Sequence, residues 1–598
     1  MRKLALDDDI LLEIEKPARY IGGEVNAVMK NVEDIDVRFA MCFPDVYEIG
    51  MSHLGIQILY DMFNRREDVW CERVYSPWHD LDKVMREQKI PLFALESQDP
   101  IKDFDFLGIT IQFEMCYTNI LQILDLSQIP LHAKDRTLDD PFVIGGGPCT
   151  YNPEPIAEFF DIFYIGEGET AYDELLDAYK EWKGSGKSRR EFLERAAQIE
   201  GLYVPIFYDA EYNEDGTLKS FTPNNEYASA VVKKQIVMDV TDAPYPMKPV
   251  VPFIKVTQDR VVLEIQRGCI RGCRFCQAGM LYRPVRERNV ERLKQYAHDM
   301  LQNTGHEEIS LSSLSSSDYS ELKELVTYLI DEFKNKGINI SLPSLRIDAF
   351  SLDVMSKVQD IRKSSLTFAP EAGSQRMRDV INKGLTEEVI LNGAGEAFEG
   401  GWTKVKLYFM LGLPTETEED MKEIAHLAEK VARRYYEIPK DQRHGKCQIT
   451  ASSSFFVPKP FTPFQWAPMC KAEEYMRRKA KKEGIPLSDD AVCGIYNYND
   501  SENEPEYISE INKGKEFSQK AFERMMQDEK CAARYAGEVV YEGGGNFFVL
   551  YKDKETCIEI NKIFTRKLLK ELYTLKVLCT YIELENGLVN FIEDRKKL

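Results

Sequence analysis

The chain has 598 residues, 77 of them basic and 99 acidic, for a net charge of −22. That acidic surplus argues against broad, non-specific nucleic-acid binding and leaves room only for a local basic groove. A hydrophobic share of 43% and a charged share of 29% are those of an ordinary globular protein, long enough for roughly two to four domains. No apolar run approaches the length of a membrane span, and Asp7-Asp8-Asp9 put acids where a signal peptide needs an apolar core. The expected location is the cytoplasm, without a membrane partner. There the 13 cysteines stay reduced and suit metal ligation better than disulfides.

Residues 1–185 alternate short apolar runs with helical patterns. Strands are expected at Val37–Phe43, Pro91–Leu95, Leu107–Gln112, Phe142–Ile144 and Ile162–Ile165, and helices at Leu54–Asn64, Leu81–Gln88, Tyr117–Ser127 and Thr170–Trp182. Such alternation predicts a doubly wound, Rossmann-like parallel sheet, with ligands beyond the carboxyl ends of the strands. Two strand ends run into glycine-rich loops, Gly145-Gly146-Gly147-Pro148 and Gly166-Glu167-Gly168-Glu169-Thr170. A tight turn is the default reading of a triple glycine; backbone amides approaching a large ligand are the other. With Asn152-Pro153-Glu154-Pro155 and Asp161, these loops resemble the cobalamin-binding domain that precedes many radical S-adenosylmethionine (SAM) cores. The resemblance implies cobalamin contacts at Gly145, Gly146, Gly147, Gly166, Glu167 and Gly168. The Asp-x-His-x-x-Gly cobalt-ligand motif is replaced here by Asp45 through Gly55, with His53 eight residues after Asp45 and Gly55 too close behind it. No histidine is therefore assigned to cobalt.

Residues 186–255 form a connector with a turn at Asn213-Glu214-Asp215-Gly216 and a short strand pair. The strand-like run Val261–Ile265 then leads into Gln266-Arg267-Gly268-Cys269-Ile270-Arg271-Gly272-Cys273-Arg274-Phe275-Cys276. Thiolates spaced Cys-x3-Cys-x2-Cys on one loop can grip one iron–sulfur cluster. A zinc site is the competing reading, but it needs a fourth ligand near by, and no further His or Cys occurs before His298. The loop, with Phe275 before the third cysteine, resembles the radical SAM signature. That implies a [4Fe–4S] cluster on Cys269, Cys273 and Cys276 with one open iron for SAM.

From residue 256 to 469, strands expected at Val262–Gln266, Glu308–Ser312, Ile338–Leu342, Ser365–Ala369, Thr403–Phe409 and Ile449–Val457 alternate with helices at Val290–Gln302, Tyr319–Lys336, Ser351–Val358, Thr386–Phe398 and Glu416–Arg434. Six such units suit the partial (β/α)6 barrel of radical SAM enzymes, with the site at the carboxyl ends of the strands. Pro370-Glu371-Ala372-Gly373-Ser374 and Leu411-Gly412-Leu413-Pro414-Thr415-Glu416-Thr417 resemble turns of the methylthiotransferase branch. Glu371 is read as a ribose contact or a helix-capping acid, and Arg376 as a partner of the SAM carboxylate or a helix-surface charge. Gly412 belongs to a tight turn that also suits a SAM contact. Ser315 stands where relatives carry Gly-Gly-Glu for the methionine amino group, and Arg346 closes the third strand. With Phe275, these are the SAM-site candidates.

Residues 470–598 change character: a charged helix at Lys471–Glu483, an acidic loop at Asn497–Glu506, and a glycine hairpin through Tyr541–Tyr551. The hairpin resembles that of nucleotide-cyclase-like palm domains, but Gly545-Asn546 replaces the metal-binding Asp pair, so this α+β tail reads as a binding or structural module.

Residues 1 to about 469 resemble the cobalamin-binding-domain radical SAM proteins, in the branch of largely uncharacterised members. The resemblance implies reductive SAM cleavage, methyl transfer from cobalamin to an unactivated carbon, and an electron donor such as flavodoxin or ferredoxin. Two alternatives stand beside it: a cobalamin-free, RNA-modifying enzyme like the methylthiotransferases, and a non-catalytic cluster or cobalamin sensor. The sequence identifies no substrate and no acid–base residue.

Overall fold

A computed structural model describes residues 4–341, 366–443, 445–469, 492–498, 537–543, 546–551 and 577–583. The chain divides into two compact units, Met1–Arg271 with Gln277–Lys363, and Gly272–Cys276 with Ser364–Leu598.

The first unit opens on a six-stranded sheet of β1 (Val37–Phe43), β2 (Val69–Tyr75), β3 (Phe106–Thr110), β4 (Phe142–Gly146), β5 (Ile162–Tyr164) and β6 (Leu202–Tyr203), in the order β2-β1-β3-β4-β5-β6. The first five run parallel and β6 closes the edge antiparallel. Successive side chains of a strand face opposite ways, and β1 shows it. Phe39, Met41 and Phe43 join one core with the helices Leu54–Asn64 and Tyr172–Trp182, while Ala40 and Cys42 join another with His79–Gln88 and Tyr117–Leu126. Burial on both faces explains why these strands read as continuous apolar runs.

Two expectations change here. Pro91–Leu95 is not a strand: Leu92 N–H donates to Leu126 and Ala94 N–H to Asp99, so the segment is a loop bound to its surroundings. The position beside β1 belongs instead to β2, which sequence reading passed over because Glu72 and Arg73 interrupt it. Both are buried, Glu72 against Arg38 at 2.7 Å and Arg73 against Glu24 and Glu96 at 2.7 and 2.6 Å. The sheet also draws on residues beyond 185, through β6. Next comes the short hairpin of β7 (Tyr208–Tyr212) and β8 (Leu218–Pro223).

The same unit then carries β9 (Val261–Glu264), β10 (Gln266–Arg267), β11 (Arg286–Glu287), β12 (Glu308–Ser312) and β13 (Asn339–Ser341). β13, β12 and β9 form a parallel sheet, and β10 pairs antiparallel with β11. Helix Val290–Thr304 starts on the Asn289 side-chain cap and ends at Gly305 in the left-handed conformation. It packs with helix Leu322–Phe333 over Leu263, Ile309 and Leu311.

In the second unit β14 (Leu366–Glu371), β15 (Lys404–Leu411) and β16 (Gln448–Phe455) form a parallel sheet with helices Glu387–Glu399 and Glu418–Glu437. All six expected strands of the partial barrel exist. Among the described residues they pair as two sets of three. Arg346 and the helix expected at Ser351–Val358 lie outside the described residues. β17 (Val492–Tyr498), β18 (Gly537–Gly543), β19 (Asn546–Tyr551) and β20 (Val577–Glu583) make an antiparallel sheet in the order β18-β19-β17-β20. This contains the expected hairpin; the charged helix Lys471–Glu483 lies outside the described residues.

Candidate cofactor site

The cysteine loop follows β10. Gly268 sits at φ +83°, and a Cβ there would meet the Tyr282 carbonyl oxygen at 2.6 Å, so the turn into Cys269 needs glycine. The Arg271 backbone N–H donates to Cys269 Sγ at 3.4 Å, and the Arg271 side chain pairs with Asp318. Within the second unit, Asn382 Nδ2 donates to the Gly272 carbonyl at 2.8 Å and the Arg274 N–H to the Ile381 carbonyl at 2.9 Å. Cys273 is buried, Cys269 and Cys276 are half-buried, and none of the three is in a disulfide. Three unbridged thiols on one tethered loop fit a cluster with three protein ligands.

Phe275 packs on the core of Met377, Ile381, Met410 and Phe456. Lys383 Nζ lies 5.9 Å from the Phe275 ring centroid and 3.1 Å from Glu371 Oε1, so Glu371, at φ +67°, ends β14 as half of an ion pair. Arg376 pairs with Asp420 and donates to the Thr415 carbonyl at 2.7 Å; Asp420 also closes the capping box of helix Glu418–Glu437. The structure thus engages Arg376 at a helix start, with 49% of its side chain exposed. Gly412, at φ +81°, donates its N–H to Glu416 at 2.8 Å inside the tight turn. Ser315, in the first unit, is 1% exposed.

A cavity of about 540 Å³ opens at the carboxyl edge of the first sheet. One wall is Gly146, Gly147, Gly166, Glu167 and Gly168; the other is Glu264, Gln266, Arg267 and the serines Ser310, Ser312 and Ser313 at the end of β12. Gly145 stands behind it, where a Cβ would meet Phe163 at 2.6 Å. The other glycines mostly make room for the chain itself: a Cβ at Gly166 would strike Gln235 backbone at 2.3 Å, and one at Gly168 would strike Leu59 at 2.8 Å. At Gly146 the nearest neighbour is the Tyr172 hydroxyl at 3.9 Å, so here the missing side chain leaves cavity space.

His53 lines the same cavity. Its Nδ1 accepts the Ile56 N–H at 3.3 Å and caps helix Leu54–Asn64. Burial pushes its pKa down to about 4, against a smaller opposing effect of a Gln112 hydrogen bond, so the ring is neutral at pH 7. His53 is thus a helix cap that also stands in the cavity wall, a place that sequence reading did not foresee.

Between the walls runs an ion lattice. Arg267 donates to Glu169 at 2.5 Å and to Glu264 at 2.9 Å, and lies 3.5 Å from Glu167; Arg286 grips Glu167; Arg288 reaches Glu264 at 3.1 Å. Burial opposes the charge on Arg267, but Glu264 and Glu169 outweigh it and raise its pKa overall. Glu167 is thus an internal ion-pair partner as well as a cavity residue. The lattice members other than Glu167 were missed, as was Gln266. Their adjacency to the cysteine motif was the available signal.

A Rossmann-like sheet ahead of parallel β/α units with a three-cysteine loop defines the class. Residues 55–205 match the family described as radical SAM proteins, N-terminal, and residues 263–428 match the radical SAM superfamily. Uncharacterized protein MJ0966 of Methanocaldococcus jannaschii is 31% identical over 453 residues, covering 75% of this chain and 84% of its own. The chain belongs to the radical SAM superfamily. Putative methylthiotransferase MJ0865 of the same organism is 27% identical over 414 residues, covering 65% of this chain and 73% of its own. Among solved structures, the cobalamin-dependent S-adenosylmethionine radical enzyme OxsB, with aqua-cobalamin and S-adenosylmethionine bound, shares 14% identity at a TM-score of 0.49, over 75% of this chain and 62% of its own. This chain therefore spans less than two thirds of OxsB. No helix among the described residues is long and apolar enough to cross a membrane.

Proposed function

We propose that the chain is an enzyme that cleaves S-adenosylmethionine reductively and holds cobalamin, for methyl transfer to an unactivated carbon. The observation that carries the cobalamin part is the cavity whose walls are the glycine loops of the first sheet and the strand end leading to Cys269. Such a cavity lies where ligands of doubly wound sheets bind. When bound, the cluster supplies the electron for SAM cleavage and cobalamin carries the methyl group. The protein's own part is binding and shielding. Cys269, Cys273 and Cys276 are the cluster ligands, with the Arg271 N–H on Cys269 Sγ offsetting thiolate charge. Glu371 offers a carboxylate for the ribose hydroxyls. Gly146 leaves room for the corrin. Leu54, Ile56 and Leu59 give the cavity wall an apolar patch. The reaction needs an external electron donor, such as a flavodoxin or ferredoxin.

A second reading, an RNA-modifying enzyme without cobalamin, is favoured by the similarity to the putative methylthiotransferase over 414 residues. Anaerobic reconstitution with iron, sulfide and aquacobalamin separates the two. The expected protein carries both an iron–sulfur and a corrin chromophore, and with SAM and dithionite it yields 5′-deoxyadenosine or S-adenosylhomocysteine. The Cys→Ala triple variant should lose its iron and sulfide. A variant that keeps them, or a wild type that yields neither product, would overturn the radical SAM reading. A cluster without corrin would move the assignment to the second.

A further inference from the structure

The cavity at the carboxyl edge of the first sheet is closed on its sheet side. At three of the loop glycines, the space that a side chain would take is already filled by this chain. At Gly145 it holds Phe163 at 2.6 Å and Ile111 Cδ1 at 3.2 Å. At Gly147 it holds the Ile111 carbonyl oxygen at 2.9 Å and Gln112 Nε2 at 3.0 Å, and at Gly168 it holds Leu59 at 2.8 Å. Below the loops the strands enter core on both faces, Phe163 and Ile111 on one, Ile144 and Tyr164 on the other, none more than 1% exposed. Close-packed interiors leave few voids larger than a water molecule, so among the described residues no channel runs down the sheet beneath the two glycine loops. The cavity of about 110 Å³ beside Ile56 and Tyr60 is below the roughly 300 Å³ at which ordinary ligand sites begin.

The larger cavity, of about 540 Å³, lies within the roughly 300–1,000 Å³ that suit one drug-sized ligand. Cobalamin is larger than such a ligand: a corrin ring with amide arms, and a nucleotide hung from one arm, whose base can bind cobalt. The mouth of the cavity lets part of a ligand stand outside, while the sheet side admits nothing further. We propose that the site grips the corrin ring and leaves the nucleotide outside the protein, because Leu59 and Gln112 in the cavity wall, and Phe163 behind Gly145, already occupy the space it would need. The ligand class is then corrinoids whatever their lower nucleotide, including cobinamide, which has none. A base still bound to cobalt adds a second ring system for which the cavity has no room, so the base leaves cobalt on entry. Cobinamide has no base to displace. The inference rests on the cobalamin reading above and says which part of that cofactor the protein holds.

The test uses the full chain with its cluster reconstituted and two probes, methylcobalamin and methylcobinamide, titrated anaerobically by absorbance. The Kd of methylcobinamide is expected to equal that of methylcobalamin or to lie below it. Bound methylcobalamin is expected to show the spectrum of its base-off form. It should also keep a narrow phosphorus-31 resonance, since its nucleotide phosphate moves freely in solvent. Methylcobalamin binding tighter than methylcobinamide by roughly tenfold or more would assign real contacts to the nucleotide and overturn the exclusion. A base-on spectrum overturns it too, as does a phosphorus resonance as broad as that of a group held rigidly on the protein. A chain that binds only methylcobalamin overturns this inference and leaves the cobalamin reading standing. One that binds neither probe overturns the cobalamin reading and this inference with it.

Discussion

The Arg286 guanidinium holds the Glu167 carboxylate with two parallel hydrogen bonds of 2.7 Å each. Glu167 also accepts the Val237 N–H at 2.7 Å. The carboxylate in the middle of the second glycine loop is therefore fixed by its own chain, and the loop is tied to β11. Bidentate pairs with this little exposure behave as buried ones. Arg286→Met should lower stability by about 2–3 kcal/mol, since it takes the bidentate partner from a buried carboxylate and leaves it the Val237 N–H and Arg267 at 3.5 Å. Adding Glu167→Met should recover part of that loss. Chemical denaturation of the single and double variants measures both, and a single variant as stable as wild type would show the pair to be solvent-screened.

His53 makes stability depend on pH in a definite direction. Its folded pKa of about 4 lies below the ordinary histidine value, so between roughly pH 6.5 and 4 the unfolded chain binds the extra proton. The contribution of His53 is complete above that window and falls as pH drops through it, by up to about 1.4 kcal/mol per pH unit. His53→Asn keeps a capping side chain and removes the titration. Its stability should fall less than that of wild type between pH 7 and 5, by on the order of 1–2 kcal/mol. Parallel curves would mean that His53 is not held neutral. With Nδ1 on the Ile56 N–H, the histidine is also not expected on cobalt. The Co(II) form should lack nitrogen superhyperfine splitting, and splitting lost in His53→Asn would reverse that.

Glu371 and Lys383 offer a third check. Glu371→Gln removes the charge that Lys383 Nζ faces at 3.1 Å while keeping a hydrogen-bonding side chain of the same shape. A ribose contact at this carboxylate predicts that SAM binding weakens roughly tenfold, since hydrogen bonds to charged groups are worth about 1.5–3 kcal/mol. Lys383→Met, which removes only the partner, should weaken it less. Equal effects of the two substitutions would point to the ion pair as a structural support and not to a ribose contact.

Much of the architecture was written locally. β1, β12 and the helix Leu54–Asn64 have the bounds their residue patterns predict, because an apolar run, an alternation or a capped amphipathic stretch is a property of neighbouring residues. The Cys-x3-Cys-x2-Cys spacing is likewise local, so the cluster loop could be picked out without coordinates. β2 could not, because Glu72 and Arg73 look solvent-facing until Arg38, Glu24 and Glu96 arrive from 23 to 49 residues away. The same holds for the cavity. Glycine loops near residues 146 and 166 and a strand end at Gln266 meet only because a parallel sheet brings distant strand ends to one edge. Sequence by itself determined most of the elements, though not β2, and the spacing of the cysteine loop. Which charges are paired and which glycines serve the chain's own packing were decided by tertiary contacts, since burial and pairing depend on residues far apart in the chain.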